Sequence, residues 1–208
     1  MLDRIRNYLI RSRSGTAIAA AIILALAAVL LISFPCGRSS GKLPHDAYVW
    51  QREWTPAVAD SVRENSRSFN GLCVLAAELV WHRGRPEIHK VDIDYSALAG
   101  AACRTGLAVR VGPFAGKFSS DDESCKEVSD LCMSSIENAE RNGISVSELQ
   151  LDFDCAESKL DGYRLWVDAI RKRISPVPLA ITALPCWLKH RSFTSLARSA
   201  VSYVLQVH

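Results

Sequence analysis

From His45 onward, apolar runs of strand length alternate with stretches whose apolar residues recur at helical spacing. The run 71–81 is nearly continuous in apolar residues, which is typical of a strand covered on both faces. The alternation of strand and helix repeats about five times, and this rhythm predicts an α/β fold with a parallel sheet and helices packed outside it.

The predicted strands are 46–54, 71–81, 107–113, 148–155, 178–188 and 202–208, and 88–95 is either an added strand or a return segment. The predicted helices are 55–68, 96–106, 122–143, 161–175 and 193–200. Thr55-Pro56 is a helix start and Asn142-Gly143 a helix stop. Two architectures fit this order: an open doubly wound sheet and a (β/α)8 TIM barrel.

Polar residues within the predicted strands favour the barrel. In the stretch "ELQLDFDC" (148–155), Gln150, Asp152 and Asp154 share one face, and the opposite face is apolar. In a barrel the apolar face packs under helices, and the polar face lies inside at the mouth. The other predicted strands also carry polar or aromatic groups near one end, namely Trp50, Arg52, Glu78, Arg110, Gln206 and His208. No G-x-G-x-x-G follows the first strand and no P-loop is present, so a dinucleotide fold lacks its usual support.

Two carboxyl groups at such a mouth are typical of glycosidases, which need one protonated and one ionised carboxyl group. We expect Asp152 and Asp154 to form this pair, with Glu78 as an alternative proton donor. The expected substrate-binding residues are Trp50, Arg52, Arg110, Gln150, Trp187 and Gln206, and Trp54 offers a further aromatic face.

Each of these residues also has a structural interpretation. Asp154 is placed to cap the following helix, and Glu78 and Arg110 can form an ion pair inside the barrel. Tryptophans are more often core residues than binding platforms. The seven cysteines include no C-x-x-C and have no histidine cluster, so we expect no metal and no cofactor.

The segment from Ser14 through Gly37 contains no charged residue, and about 20 apolar residues suffice to cross a bilayer. Basic residues precede it at Arg4, Arg6, Arg11 and Arg13, which favours a cytoplasmic N-terminus. We therefore expect a cytoplasmic basic arm (1–14), an inner-membrane anchor (15–36), a linker (37–42) and a periplasmic domain (43–208). A cleaved signal peptide, or lipidation at Cys36, is the alternative.

The net charge of +3 comes largely from the N-terminal arm, so no nucleic-acid surface is implied and the bilayer is the expected partner. A complete barrel needs eight strands and about 250 residues. With six or seven candidate strands, we expect an incomplete, C-terminally truncated barrel.

Four sequence blocks carry a family resemblance: "LPHDAYVWQREWTPAV", "ELQLDFDCAESKLDGY", "ITALPCWL" and "YVLQVH". Together they resemble an uncharacterised bacterial family, domain of unknown function 3142, which is distantly similar to TIM-barrel glycoside hydrolases. The resemblance spans nearly all of 43–208. It implies a barrel outside the cytoplasm, but the family has no assigned reaction.

A looser similarity is to chitinase-like barrels, whose fourth strand carries D-x-x-D-x-D-x-E. Asp152 and Asp154 match the two later aspartates, whereas Leu149 and Ala156 replace the first aspartate and the glutamate that donates the proton. Glu157 comes one residue late. The sequence thus leaves three possibilities open: a glycoside hydrolase-like enzyme, a non-catalytic carbohydrate-binding or scaffolding protein, and a decayed fragment.

Overall fold

The computed structural model describes residues 43–207. The predicted basic arm, anchor and linker, and also Cys36 and His208, lie outside these residues. The strands are β1 (Asp46–Val49), β2 (Gly71–His82), β3 (Arg85–Lys90), β4 (Arg104–Val111), β5 (Val146–Phe153), β6 (Leu179–Ala183) and β7 (Ser202–Leu205). The α-helices are α1 (Pro56–Asn65), α2 (Tyr95–Ala99), α3 (Glu123–Arg141), α4 (Leu160–Ile174) and α5 (Arg191–Ser199).

Six strands form a parallel sheet in the order β1-β2-β4-β5-β6-β7, and β3 pairs antiparallel with β2 as a hairpin. A doubly wound sheet would reverse its strand order at a switch point, where helices change faces. Here the order follows the chain without reversal, so right-handed crossovers place the helices on one face. The sheet curls as a half-barrel, and the predicted α/β, barrel-like fold is confirmed to that extent.

Helices α3 and α4 each have a single apolar face, and the sequence also provides caps for α3. Asp122 accepts a hydrogen bond from the backbone N–H of Cys125 at the start of α3, and Gly143 takes the left-handed conformation (φ 79°) just beyond the helix end. On α4, Tyr163, Trp166, Val167 and Ile170 are buried, as their spacing predicts.

The alternation along β5 separates the apolar core from the site. Leu149, Leu151 and Phe153 are buried toward the helices, and the ring of Phe153 stacks on Trp166 with centroids 6.2 Å apart. Gln150 and Asp152 therefore point to the inner face of the curled sheet. This arrangement places carboxylate chemistry inside the half-barrel.

Several predicted elements are wrong in their extent. The predicted helix 96–106 is only the short α2, because Arg104 already pairs with Gly71 in the sheet. The segment 88–95 lies partly in β3, an antiparallel strand that spans Arg85–Lys90. The predicted strand 178–188 stops at Ala183, because Pro185 begins a 3-10 turn, Pro185–Lys189.

Among the helices of residues 43–207, none combines the length and apolar character needed to span a bilayer. The six cysteines described are all unpaired; four are buried, Cys103 is half-buried and Cys186 is exposed.

Candidate functional site

A cavity of about 540 Å³ opens at the carboxyl ends of the strands. We call it the rim cavity. It is lined by Tyr48, Trp50, Arg110, Asp152, Asp154, Thr182, Val204, Leu205, Gln206 and Val207. These residues come from both edges and from the middle of the sheet, so the curl brings them together. Of the residues singled out from the sequence, Trp50, Arg110, Asp152, Asp154 and Gln206 line this cavity.

Asp152 is the most constrained acidic group of the rim cavity. Its Oδ1 accepts hydrogen bonds from the Thr182 hydroxyl at 2.8 Å and from the Gln206 amide at 2.9 Å. Burial raises the pKa of Asp152, and the nearby carboxylate of Asp154 raises it further, whereas Thr182 and Arg110 act in the opposite direction. Asp152 is therefore a buried carboxyl group that holds its proton more tightly than an ordinary aspartate.

Glu78, 7% exposed, lies between two guanidinium groups. Its Oε2 is 2.5 Å from Nε of Arg52, and its Oε1 is 3.5 Å from Nη1 of Arg110. Nε of Arg110 is in turn 3.8 Å from Oδ2 of Asp152. Charges of alternating sign thus connect the segment that follows β1 with β2, β4 and β5.

Glu78 does not line the rim cavity itself. Its two ion pairs favour the structural interpretation of the Glu78–Arg110 contact, in which the glutamate holds two arginine side chains in place. Glu78 therefore contacts the two arginines rather than the cavity.

The aromatic wall consists of Trp50 and Tyr48, whose ring centroids lie 5.7 Å apart at 78°. The Tyr48 hydroxyl donates to Oε1 of Gln150 at 2.7 Å, and the Gln150 amide donates to Oε1 of Glu148 at 2.7 Å. Gln150 is therefore a support beneath the cavity, whereas Trp50 lines it directly. Trp54 packs against the core and does not line the cavity.

Asp154 is exposed beyond the end of β5 and lines the rim cavity. The capping interpretation of this residue does not hold. The helix α4 begins after Lys159 with no side-chain hydrogen bond at its N-cap, and the preceding 3-10 turn has none either. Asp154 is thus free to contact a ligand.

Trp187 is the expected site residue that the structure places elsewhere. It is 1% exposed, and its ring lies against Tyr163 and Phe193, at centroid distances of 6.4 and 6.2 Å. The 3-10 turn after β6 directs this side chain into the helical layer. Trp187 is a core residue and has no face available for a sugar.

Ala156 stands where the chitinase-like motif has its glutamate, and Glu157 does not take over that position. Its Oε2 lies 2.5 Å from Nε2 of His190, and hydrogen bonds from Cys186 and His190 lower its pKa. The side chain is held by the loop after β6 and does not line the rim cavity. The chitinase-like proton donor is therefore missing in position as well as in sequence.

Tyr48 and Thr182 are site residues that the sequence analysis missed. Tyr48 precedes Trp50 by two positions and shares its face by strand alternation. Thr182 is the one polar residue in the buried strand β6, whose other residues are Leu179, Ala180, Ile181 and Ala183. Both features could have identified them.

Within residues 43–207, no three His, Cys, Asp or Glu side chains gather as a metal site would require. The arrangement instead offers two carboxyl groups, one guanidinium group, a hydroxyl, an amide and two aromatic rings around a concave space. Such a mixture suits a ligand with many hydroxyl groups and apolar ring faces.

Residues 108–208 match the family model described as Domain of unknown function (DUF3142). The resemblance drawn from the sequence blocks is thereby confirmed, although the match is shorter than the expected 43–208. The matched residues include Arg110, Asp152, Asp154, Thr182 and Gln206, and so most of the rim cavity. No curated protein matches the sequence significantly.

Three solved structures share the fold. The Bacillus cereus spore cortex-lytic enzyme SleL gives a TM-score of 0.52 at 13% identity over 80% of this chain and 42% of its own. A chitinase from Chromobacterium violaceum gives a TM-score of 0.52 at 12% identity, over 78% of this chain and 55% of the chitinase. The catalytic domain of endolysin ply40, from bacteriophage P40 of Listeria monocytogenes, gives a TM-score of 0.51 at 11% identity. The match covers 74% of this chain and 70% of the endolysin domain. The chain thus spans about half the length of the first two. The distant likeness to glycoside hydrolase-like barrels holds for the fold.

Proposed function

We propose that this protein binds a carbohydrate in the rim cavity. The observation that carries the proposal is the convergence of Trp50 and Tyr48 with Asp152, Asp154 and Gln206 around one concave space. Sugars present hydroxyl groups at their edges and C–H groups on their faces, so carboxylates and aromatic rings recognise them together. The fold similarity to a chitinase and to two lytic enzymes supports a glycan ligand.

Binding of chitohexaose to the full-length protein in detergent, followed by calorimetry, tests this proposal. Trp50→Ala should weaken binding about fivefold, since an aromatic face contributes about 1 kcal/mol. The matched control is Tyr203→Ala, because Tyr203 is exposed on β7 outside the cavity. If neither chitohexaose nor another neutral glycan binds, carbohydrate binding in this cavity is refuted.

Glycoside hydrolysis is the second candidate, and the raised pKa of Asp152 favours it. A buried carboxyl group with a raised pKa is what a general acid requires, and Asp154 would be the ionised partner. Against it stands Ala156, whose methyl group cannot donate a proton. We therefore rank non-catalytic binding first.

Asp152→Asn separates these candidates. Asparagine keeps an oxygen that can accept from Thr182 and Gln206 but has no acidic proton. If the protein is an enzyme, release of reducing ends from soluble glycans should fall by at least about a hundredfold although the melting temperature does not fall. A wild-type protein that binds chitohexaose without releasing products supports the binding function.

We also propose that residues 15–36 anchor the protein in the inner membrane with residues 43–208 in the periplasm. The uncharged run and the preceding arginines support this. Alkaline carbonate extraction and protease accessibility in spheroplasts test it. Recovery in the soluble fraction after cleavage would favour a signal peptide.

A further inference from the structure

The hairpin of β2 and β3 projects beyond the parallel sheet next to the rim cavity. Pairing between β2 and β4 ends at Leu79, whereas Val80–His82 pair only with β3. The two turn residues, Arg83 and Gly84, have φ of 53° and 78°, the positive values that two-residue hairpin turns require. We call residues 80–90 the hairpin arm, a defined structural element beside the site.

The two faces of the hairpin arm differ. Opposed residues in an antiparallel pair share a face, and the register pairs Glu78 with His89 and His82 with Arg85. Since Glu78 points inward to Arg52 and Arg110, the residues His82, Arg85, Glu87 and His89 lie on the same inner face, the one that carries the rim cavity. The contact of 3.3 Å between His82 and Glu87 agrees with this assignment.

The outer face of the arm carries different residues. Trp81 packs on Phe114 and Trp166, with ring centroids 4.8 and 6.1 Å away. Ile88 and Lys90 are register partners of Leu79 and Ala77, so they lie on this outer side. Lys90 therefore provides a cation on the same strand as Arg85 but on the opposite face.

The hairpin arm has a net positive charge on a slightly acidic domain; Arg85 and Glu87 lie on its inner face, Lys90 lies on its outer face, and Arg83 lies in the turn. It contains Arg83, Arg85 and Lys90 with Glu87 as its one acidic residue, whereas residues 43–208 together contain 19 Lys or Arg and 21 Asp or Glu. All six residues of β3 are exposed. The inner face then continues into the side chain of Arg52, 64% exposed, and so toward the rim cavity.

We propose that the hairpin arm binds the negatively charged part of a glycan whose chain extends out of the rim cavity. This inference rests on the proposed carbohydrate binding and names the ligand class, a carboxylate-bearing glycan. The planar guanidinium of Arg85 matches a carboxylate in a two-point contact, and His89 lies between it and the cavity. Arg85 and His89 share the inner face, and His89 is the register partner of Glu78, which contacts the cavity residue Arg110. A flat bilayer would instead contact the tip or the outer face.

Two six-sugar probes of similar size test the proposal on the full-length protein in detergent. Chitohexaose is neutral, and a hyaluronan hexasaccharide alternates N-acetylglucosamine with a uronate. We expect the hyaluronan probe to bind more tightly than chitohexaose at low salt, with this advantage lost at high salt. In the double variant Arg85→Gln/His89→Gln, hyaluronan binding should weaken about tenfold while chitohexaose binding is unchanged.

Lys90→Gln is the matched control, because it removes one cation from the same strand on the other face. It should change hyaluronan binding less than about twofold. The inference is overturned if Lys90→Gln and the double variant weaken binding equally, or if chitohexaose binds and the uronate adds nothing. The inference is also overturned if the protein binds phosphatidylglycerol vesicles but not hyaluronan, and if the double variant weakens that vesicle binding.

The same measurements distinguish the two proposals. Chitohexaose binding without an effect of Arg85 retains the proposed function and rejects the role of the arm. Hyaluronan binding that depends on Arg85 without any chitohexaose binding retains the arm and rejects neutral-sugar binding in the cavity. If neither probe binds, both proposals fail.

Discussion

The hydroxyl of Tyr48 on β1 donates a hydrogen bond to the side-chain oxygen of Gln150 on β5 at 2.7 Å, although β2 and β4 separate the two strands. In a flat sheet, three strand spacings would hold these backbones about 14 Å apart. The direct contact therefore reports how strongly the sheet curls. Burial raises the pKa of Tyr48 to about 12, so the hydroxyl remains a donor at any physiological pH.

Removal of this hydroxyl should be measurable. We expect Tyr48→Phe to lower the free energy of unfolding by about 1 kcal/mol, because the oxygen of Gln150 loses its donor in a partly buried position. Urea denaturation gives the value. A double-mutant cycle with Gln150→Ala should show a coupling of about 0.5–1.5 kcal/mol.

Tyr203→Phe is the matched control for Tyr48→Phe, because both tyrosines are 46% exposed. The Tyr203 hydroxyl makes no hydrogen bond within residues 43–207, so its loss should be nearly neutral. Equal effects of the two substitutions would show that the contact across the sheet contributes nothing.

The raised pKa of Asp152 predicts a pH-dependent stability. Because burial disfavours the charged form, its cost is absent below the ordinary pKa of 3.8 and grows as pH rises through the higher pKa of the folded state. Asp152→Asn should therefore stabilise the protein at pH 7, and this gain should shrink toward pH 4. Thermal unfolding across pH 4–8 measures it.

Glu64→Gln serves as the control for the charge change, because Glu64 is exposed on α1 and makes no hydrogen bond or ion pair in the described part of the chain. It should shift the melting temperature little. A gain for Asp152→Asn that persists unchanged at pH 4 would contradict the assignment of a raised pKa.

Arg110 should tune the ionisation of Asp152. Its guanidinium lowers the pKa of Asp152 at a distance of 3.8 Å, so Arg110→Gln should raise that pKa further. Titration of the Asp152 carboxyl carbon by NMR measures the shift. Arg52→Gln is the control, because Arg52 contacts Glu78 and not Asp152; a shift of similar size there would mean that the whole charge chain, rather than Arg110, sets the value.

The close approach of α4 to the loop before α3 depends on Gly162. A Cβ at this position would lie 2.7 Å from Cβ of Phe118, so Gly162→Ala should destabilise the fold by about 1 kcal/mol despite its better helix propensity. Gly100→Ala is the control, since the nearest atom there is 3.7 Å away. We expect the control to be neutral or slightly stabilising in urea denaturation.

The fold class was predictable because its determinants are local. The alternation in β5 and the continuous apolar run of β2 identify strands by residue type alone, and the caps of α3 mark its ends. The extent of α2 was not predictable in this way. Its small residues permit a helix, but the pairing of Arg104 with Gly71, a contact between distant parts of the chain, assigns this segment to the sheet.

The positions of the candidate site residues were predictable from strand alternation within the strands. They were not predictable where a turn sets the direction of the side chain. Asp152, Arg110 and Gln206 follow from their positions at strand ends. Trp187 comes after the strand has ended, and the 3-10 turn that begins at Pro185 rotates it into the core. The contact of Glu78 with Arg110 follows from their register on neighbouring strands, whereas no sequence pattern identifies Arg52 as its second partner.

Within residues 43–207, the two outermost parallel strands, β1 and β7, each hydrogen-bond to a neighbour on one side only, and Tyr203 and Leu205 are exposed beside that outer margin. When copies of such a sheet meet margin to margin, β7 of one can extend β1 of the next with the same polarity. A head-to-tail joint of this kind repeats indefinitely unless the rotation between copies closes it. The curvature that gathers the ligand groups would therefore also decide whether the purified domain ends as a small ring or grows into a filament.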